Sequence, residues 1–426
     1  MKIRSGGPVD ADVEAPPSKS LTIRALAAAA LASGRSALRR PLFSDDTYLM
    51  AQALQTMGIP VTRRLGSVMV EGQGGRIPVH GAVLDLGHAG TPLRLLTALC
   101  SLGRGRFVLD GSPRMRQRPV NDLIDALAAL GVAIVSMRGD GCPPIELVAS
   151  GFPGGRVRLR GAASSQYLSA LLLAAPYGRD DLEVTVDGRL VSRPYVDLTI
   201  ATMRSFGVGV ERDEHRWFRV AAGSAYQPRV HPIEGDASSA SYFFAAAAIT
   251  QGRMRVTGIP PDSLQGDLRL LELLEQMGCV VRREQEGIEV VGAPLTGINA
   301  DLTDCPDIGP TLAAIALFAD GPTTLTGIAH LRLKESDRVE AIASCVRAMG
   351  ASAETSPDML RVRPPDSGRM GLCGTTIDPR DDHRLAMAFA VAGLAVSGVS
   401  ILNPSCVRKS FPDFFDRLRS VRQSEK

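Results

Sequence analysis

The sequence predicts an α/β protein of two domains, each assembled from three copies of one unit. Three observations lead there. Five amphipathic segments end in Gly58, Gly131, Gly207, Gly278 and Gly350, which lie 73, 76, 71 and 72 residues apart. Six alanine-rich, almost wholly apolar segments form a second series with the same period. They start near Ser20, Thr91, Ser164, Ser238, Pro310 and Arg384, at intervals of 71, 73, 74, 72 and 74 residues. The third observation is size: 426 residues, 45% of them hydrophobic, suit two or three cores, and six such units exceed what one core holds.

Each part of the unit follows from its residues. A helix uniformly apolar around its circumference must be buried, and alanine lets it sit close to its neighbours. A strand should come next, then a loop into an amphipathic helix. The starts of those helices carry acids that suit the helix dipole: Asp45 and Asp46, Asp122, Asp197, Asp267, Asp337 and Asp413. The glycines then read as left-handed C′ residues that end each helix. Apolar alternation follows them, as in Gly58-Ile59-Pro60-Val61 and Gly278-Cys279-Val280-Val281, and predicts a strand pair. A glycine-less sixth copy is expected at residues 412–418.

Composition narrows the function. A net charge of +3 gives no footprint for nucleic acid. The seven cysteines are odd in number, scattered and without a C-x-x-C pair, which argues against a disulfide framework and a zinc site. The first eight residues hold no apolar signal region, and the longest apolar runs, such as 385–396, fall short of the ~18 residues of a spanning helix. A reduced, soluble, cytoplasmic protein with no membrane partner is expected. The histidines form no metal motif, so no metal is expected, and neither a P-loop nor Gly-x-Ser-x-Gly occurs.

Polar groups collect where the buried helices begin. The segments are Pro17-Ser18-Lys19-Ser20 through Arg24, Gly87-His88-Ala89-Gly90-Thr91-Pro92, Ser164-Ser165-Gln166, Gly235-Asp236-Ala237-Ser238-Ser239, Cys305-Pro306-Asp307 and Asp382-His383-Arg384. Helix N-termini present free N–H groups and attract anions. Ordinary capping accounts for Ser238 and Ser239. It does not account for Lys19, Arg24 and Arg384, cations in a first helical turn, which call for an anion or carboxylate nearby. Three loops add cations: Arg114, Arg116 and Arg118; Arg332, Lys334 and Arg338; Arg408 and Lys409. The chain has only five lysines among its 48 basic residues, and the three away from the termini, Lys19, Lys334 and Lys409, all lie in these segments. Such a set fits a ligand bearing phosphate and carboxylate groups.

These motifs, in this order along nearly the whole chain, resemble the EPSP synthases of the enolpyruvyl transferase family. The most specific are Pro17-Ser18-Lys19-Ser20, Arg114-Met115 with Arg118-Pro119, Ser164-Ser165-Gln166, Gly235-Asp236-Ala237-Ser238, the run Arg332 to Arg338, and Asp382-His383-Arg384. The resemblance implies a two-domain inside-out α/β barrel of six βαβαββ repeats that closes like a clamp. Residues 1–14 with 235–426 would form a lower domain on the phosphoenolpyruvate side, and 15–234 an upper domain on the shikimate 3-phosphate side. It implies transfer of the enolpyruvyl group of phosphoenolpyruvate to the 5-hydroxyl of shikimate 3-phosphate, with release of phosphate, by a monomer without cofactor. Shikimate 3-phosphate would be held by Lys19, Ser20, Arg24, Ser164, Ser165, Gln166, Ser192, Tyr195, Asp307 and Lys334. Phosphoenolpyruvate would be held by Lys19, Gly90, Arg118, Gln166, Arg338, Arg384 and Lys409. Asp307, Glu335 and Lys19 would handle protons.

The family pattern is departed from at His88 and His330, where asparagine is usual, and at Pro92, where a small residue is usual. These changes predict altered affinity for glyphosate, which occupies the phosphoenolpyruvate site in the family. A paralogue acting on another cyclic hydroxy acid, a transferase for UDP-N-acetylglucosamine and a non-catalytic phosphate-ligand binder are the competing readings. The second normally carries a loop cysteine that the segment 113–118 lacks, and the third predicts loss of Asp307, Glu335 and Lys19, all of which are present.

Overall fold

The computed structural model describes residues 1–421. It divides into two compact units: unit 1, Met1–Pro16 with Glu234–Lys426, and unit 2, Pro17–Ile233.

Unit 2 holds helices α1 (Lys19–Leu31), α2 (Asp45–Thr56), α3 (Gly90–Cys100), α4 (Asn121–Ala129), α5 (Ser165–Ala174) and α6 (Arg193–Ser205). Unit 1 holds α7 (Ala237–Thr250), α8 (Arg269–Gln276), α9 (Gly309–Ala316), α10 (Arg338–Ala348), α11 (His383–Ala392) and α12 (Phe414–Ser420). The odd-numbered helices are the buried set. In α1 every residue from Thr22 to Leu31 is buried, and in α7 every residue but Ser238 is. Within unit 2, α3 packs on both α1 and α5; within unit 1, α7, α9 and α11 pack on one another. Their alanines permit this close approach.

Five sheets have four strands in one order. In the second repeat, Gly81–Asp85 runs parallel to Arg104–Asp110, which pairs antiparallel with Ile145–Ser150, which pairs antiparallel with Ala133–Ser136. The buried helix is the crossover between the parallel strands, and the amphipathic helix leads into the antiparallel pair. Each unit closes its strand order with chain from the far end of its sequence. Asp10–Glu14 pairs with Arg253–Thr257 in unit 1, and Val230–Pro232 pairs with Ser33–Arg39 in unit 2. The sixth repeat departs from the expectation. Among the described residues it has only the parallel pair Thr376–Ile377 and Ser400–Ile401, because the chain goes from Ile401 through a 3-10 turn into α12.

The five repeating glycines all have positive φ, from 84° at Gly58 to 110° at Gly278. Gly58 also lies against Pro78, which a Cβ would approach to 2.9 Å, so both backbone and space require glycine there. The acids at helix starts hold with one exception. α6 begins at Arg193, with Pro194 in its first turn, so Asp197 is in the helix body and pairs with Arg212 and His215.

Candidate active site

In unit 2 the first turn of α1 carries Lys19 at its first position. Ser18 caps the helix, and the Lys19 ammonium meets Asp46 at 3.0 Å. Asp46 lies in the first turn of α2, where the dipole favours an acid, and offsets a cation placed where the α1 dipole opposes it. Arg24, one turn further and 1% exposed, bonds no carboxylate among the described residues. Each of its three nitrogens donates to a neutral oxygen: Nε to Thr199 Oγ1 at 2.8 Å, and the two Nη atoms to the carbonyls of Ser20 and Tyr195 at 3.0 Å each. The ring of Tyr195 lies 5.7 Å from the guanidinium. Burial with no carboxylate pulls its pKa down to about 10. Hydroxyl, carbonyl and ring surround the guanidinium because α6 and α1 pack together, a contact 171–175 residues apart in the chain.

Gly90 opens α3 against two guanidinium groups. A Cβ there would come within 2.7 Å of Arg118 and 2.8 Å of Arg94. Arg94 donates to the Gly90 carbonyl at 3.0 Å, and Tyr167 fixes the Arg118 loop by donating to the Pro119 carbonyl at 2.7 Å. Ser164 caps α5, accepting from the Gln166 amide at 3.2 Å. Gln166 donates to Thr91 Oγ1 at 3.2 Å, and its Oε1 is buried without a hydrogen-bond partner. Ser192, in the left-handed region at φ 55°, and Tyr195 open α6, and Ser165 and Ser192 are buried. Unit 2 thus brings Lys19, Ser20, Arg24, Ser164, Ser165, Gln166, Ser192, Tyr195, Gly90 and Arg118 to the starts of its three buried helices and of α6. Of the loop arginines, Arg116 is spent on Asp110 at the surface and Arg114 donates to Gln117; only Arg118 is buried.

In unit 1 the centre is Arg338, the first residue of α10 and 1% exposed. Nε donates to Asp382 at 2.7 Å, Nη1 to Asp307 at 3.1 Å, and Nη2 to Glu335 at 2.7 Å. Burial alone would lower its pKa, but Asp382, Glu335 and Asp307 outweigh it and hold the cation firmly charged. Arg384 donates to the second oxygen of Asp307 at 2.7 Å, and Lys409 stands 3.6 Å from Glu335. Asp382 caps α11 and is fully buried. Three cations and three carboxylates therefore share one cluster, with both Asp307 oxygens clasped by arginine. Lys334 follows the 3-10 turn Ala329–Leu333. Arg332, expected with these cations, instead bonds Asp337 and the Ser356 carbonyl and braces the loop.

The two histidine departures differ. His88 shares a hydrogen bond with Ser112 at 3.0 Å. His330 is buried, its Nε2 without a hydrogen-bond partner; burial and then Lys334 pull its pKa down to about 4, so the imidazole is neutral. The serine caps of α7 are a further correction. Asp236 is the cap, accepting from the Ser239 amide at 2.7 Å, while Ser238 donates its hydroxyl to Asp267. Asp46 and Asp267, which the sequence offered only as acids at helix starts, contact the motif residues Lys19 and Ser238, and Asp382, read from the sequence as part of the Asp382-His383-Arg384 motif, bonds Arg338. Their signal was an acid at a helix start beside a motif cation, and ordinary capping predicts the same acid.

The comparisons agree along the chain. Residues 3–418 match the family model for EPSP synthase (3-phosphoshikimate 1-carboxyvinyltransferase). A 3-phosphoshikimate 1-carboxyvinyltransferase of Methanoculleus marisnigri is 47% identical over 420 residues, 98% of both chains. One from Trichormus variabilis is 44% identical over 413 residues, 96% of both. Among solved structures, EPSP synthase from Acinetobacter baumannii superposes with a TM-score of 0.80 at 26% identity, covering 99% of this chain and 97% of that one. With two units of repeated parallel crossovers and buried cations at the helix starts, the chain belongs to the EPSP synthase family.

Proposed function

We propose that the chain transfers the enolpyruvyl group of phosphoenolpyruvate to the 5-hydroxyl of shikimate 3-phosphate and releases inorganic phosphate. The observation that carries this reading is the Asp307 carboxylate clasped by Arg338 and Arg384 beside the Glu335–Lys409 pair. Such a cluster offers fixed cations for an anionic substrate and carboxyl groups for proton work within one small volume.

In the reaction, C3 of the enol takes a proton while the acceptor oxygen bonds to C2 and gives up its own proton. The tetrahedral adduct then loses a C3 proton as the C2–O bond to phosphate breaks, and the double bond returns. Asp307 is the candidate base for the hydroxyl. Glu335, with Lys409 beside it, is the candidate carrier of the C3 proton, and Lys19 is the acid partner. Lysine can release a proton where arginine cannot, which suits Lys19 and Lys409 in a chain otherwise rich in arginine. Phosphoenolpyruvate would engage Lys19, Gly90, Arg118, Gln166, Arg338, Arg384 and Lys409. Shikimate 3-phosphate would engage Lys19, Ser20, Arg24, Ser164, Ser165, Gln166, Ser192, Tyr195, Asp307 and Lys334. The neutral-oxygen cage around Arg24 supports this by leaving its full charge uncompensated.

On this reading unit 2 is the shikimate 3-phosphate side and unit 1 the phosphoenolpyruvate side. A cytoplasmic monomer remains part of the proposal. No described helix is long and apolar enough to cross a membrane.

The test is phosphate release from phosphoenolpyruvate with and without shikimate 3-phosphate, beside Lys19→Met. Release that needs both substrates and vanishes in the variant is expected. A folded protein that releases none would sink the assignment of the acceptor, and one whose Lys19→Met variant keeps full activity would remove Lys19 from the site.

A further inference from the structure

Asp267 differs from the carboxylates of the unit 1 cluster in having no bonded cation. It sits in the 3-10 turn Gly266–Leu268, 4% exposed. One of its oxygens accepts the Ser238 hydroxyl; the other, Oδ1, is buried with no hydrogen-bond partner. The turn packs on α7 and on the 3-10 turn Pro306–Ile308 that carries Asp307. The groups facing it are Asp307 from that turn, Asp236 from the cap of α7, and Arg384 from α11. Cys305, and Arg269 at the start of α8, share the surroundings. Two neighbours are thus acids, and the facing cation is already bonded to Asp307. A buried carboxylate with one oxygen unsatisfied and like charges beside it favours its neutral form. Burial first, then Asp307, push its pKa up to about 7, against the pull of Arg384 and the Ser238 hydroxyl.

We propose that Asp267 is a proton-linked positioning residue for the anion cradle of unit 1: it carries its proton while Arg384 holds an anion, and its ionisation weakens that hold. The proposal rests on the reading of Arg338, Arg384 and Lys409 as the phosphoenolpyruvate cradle. The linkage is reciprocal, so binding an anion at Arg384 draws a proton onto Asp267. One linked proton changes the affinity by at most about tenfold per pH unit. The charge balance gives the direction. With Asp267 neutral the cluster holds three cations and three carboxylates; with Asp267 ionised it holds a surplus negative charge before any substrate enters.

Sulfate is the probe, because its charge is constant across the range of interest. Its affinity for the full chain is measured by titration calorimetry between about pH 6 and about pH 8.5, in two buffers of different ionisation enthalpy, following the binding that Arg384→Gln removes. The wild type is expected to lose about three- to tenfold in affinity across neutrality and to take up protons on binding. Asp267→Asn should lose both the slope and the uptake. Ser238→Ala removes a donor that favours the charged form, so its break should move to higher pH, a shift that a merely structural hydroxyl would not give. A wild-type affinity flat with pH, an Asp267→Asn variant that keeps the slope, or sulfate binding untouched by Arg384→Gln overturns the inference. If Asp267→Asn does not fold, a Ser238→Ala break at the wild-type pH overturns it. Phosphate release with both substrates is read on the same preparation, so failure of the transferase reading is seen separately from failure of the linkage.

Discussion

Replacing Arg338 with methionine isolates what the unit 1 cluster contributes to stability. The side chain is similar in size and 1% exposed, so the loss is mainly of four hydrogen bonds to three carboxylates. Those carboxylates fare differently. Asp307 keeps Arg384 at 2.7 Å, and Glu335 keeps Lys409 at 3.6 Å. Asp382 is left fully buried, with the Arg384 amide at 3.0 Å and the Ser336 hydroxyl at 3.4 Å but without the cation that bonded it. Removing one partner of a buried pair costs about 3–5 kcal/mol. With a urea m-value of about 2 kcal/mol/M, the unit 1 midpoint should fall by about 2 M. Trp217, the only tryptophan, lies in the unit 2 strand Trp217–Val220, so its fluorescence reports the other unit. Circular dichroism or hydrogen exchange in α10 and α11 is therefore the assay. A midpoint shift under about 0.5 M, worth about 1 kcal/mol, would refute the reasoning.

Two further outcomes follow from the same geometry. Gly90→Ala puts a methyl group within 2.8 Å of the Arg118 and Arg94 guanidinium ends, which can swing aside. Stability should change by less than about 1 kcal/mol, while the KM for phosphoenolpyruvate rises about tenfold because Arg118 is displaced; an unchanged KM at saturating shikimate 3-phosphate would dissociate Arg118 from the substrate. Asp267 holds its proton more tightly folded than unfolded, its pKa rising from 3.8 to about 7. Its contribution to stability is therefore full at low pH and lost as pH rises from about 4 to about 7, by up to about 4 kcal/mol. Asp267→Asn should remove that slope, so urea midpoints of wild type and variant must converge or diverge across this window; a constant difference would count against the assignment.

The architecture was legible because its signals are local. A left-handed glycine, an all-apolar helix and an alternating strand each depend on a few neighbouring residues, and five copies of the glycine and strand pair and six of the helix, at one spacing, repeat the message. The truncated sixth sheet was not legible, because strand pairing depends on a partner elsewhere in the chain. The motif residues were legible as types: a lysine or arginine in a first helical turn needs explanation from the sequence alone. Their partners were not. Asp46 and Lys19 are 27 residues apart, Arg338 and Asp382 44, Arg384 and Asp307 77, and Arg24 and Thr199 175.

The sequence by itself determined the repeated unit, the buried helices and the cations at their starts, since each follows from local propensity, apolar periodicity and the helix dipole. Only the tertiary structure decided which cations are balanced by carboxylates and which meet neutral oxygens. Arg338 meets three carboxylates, whereas Arg24 meets two carbonyls and a hydroxyl. That difference arises where separate helices converge, because the field at a buried charge is set by groups within a few ångströms in space, whatever their distance along the chain.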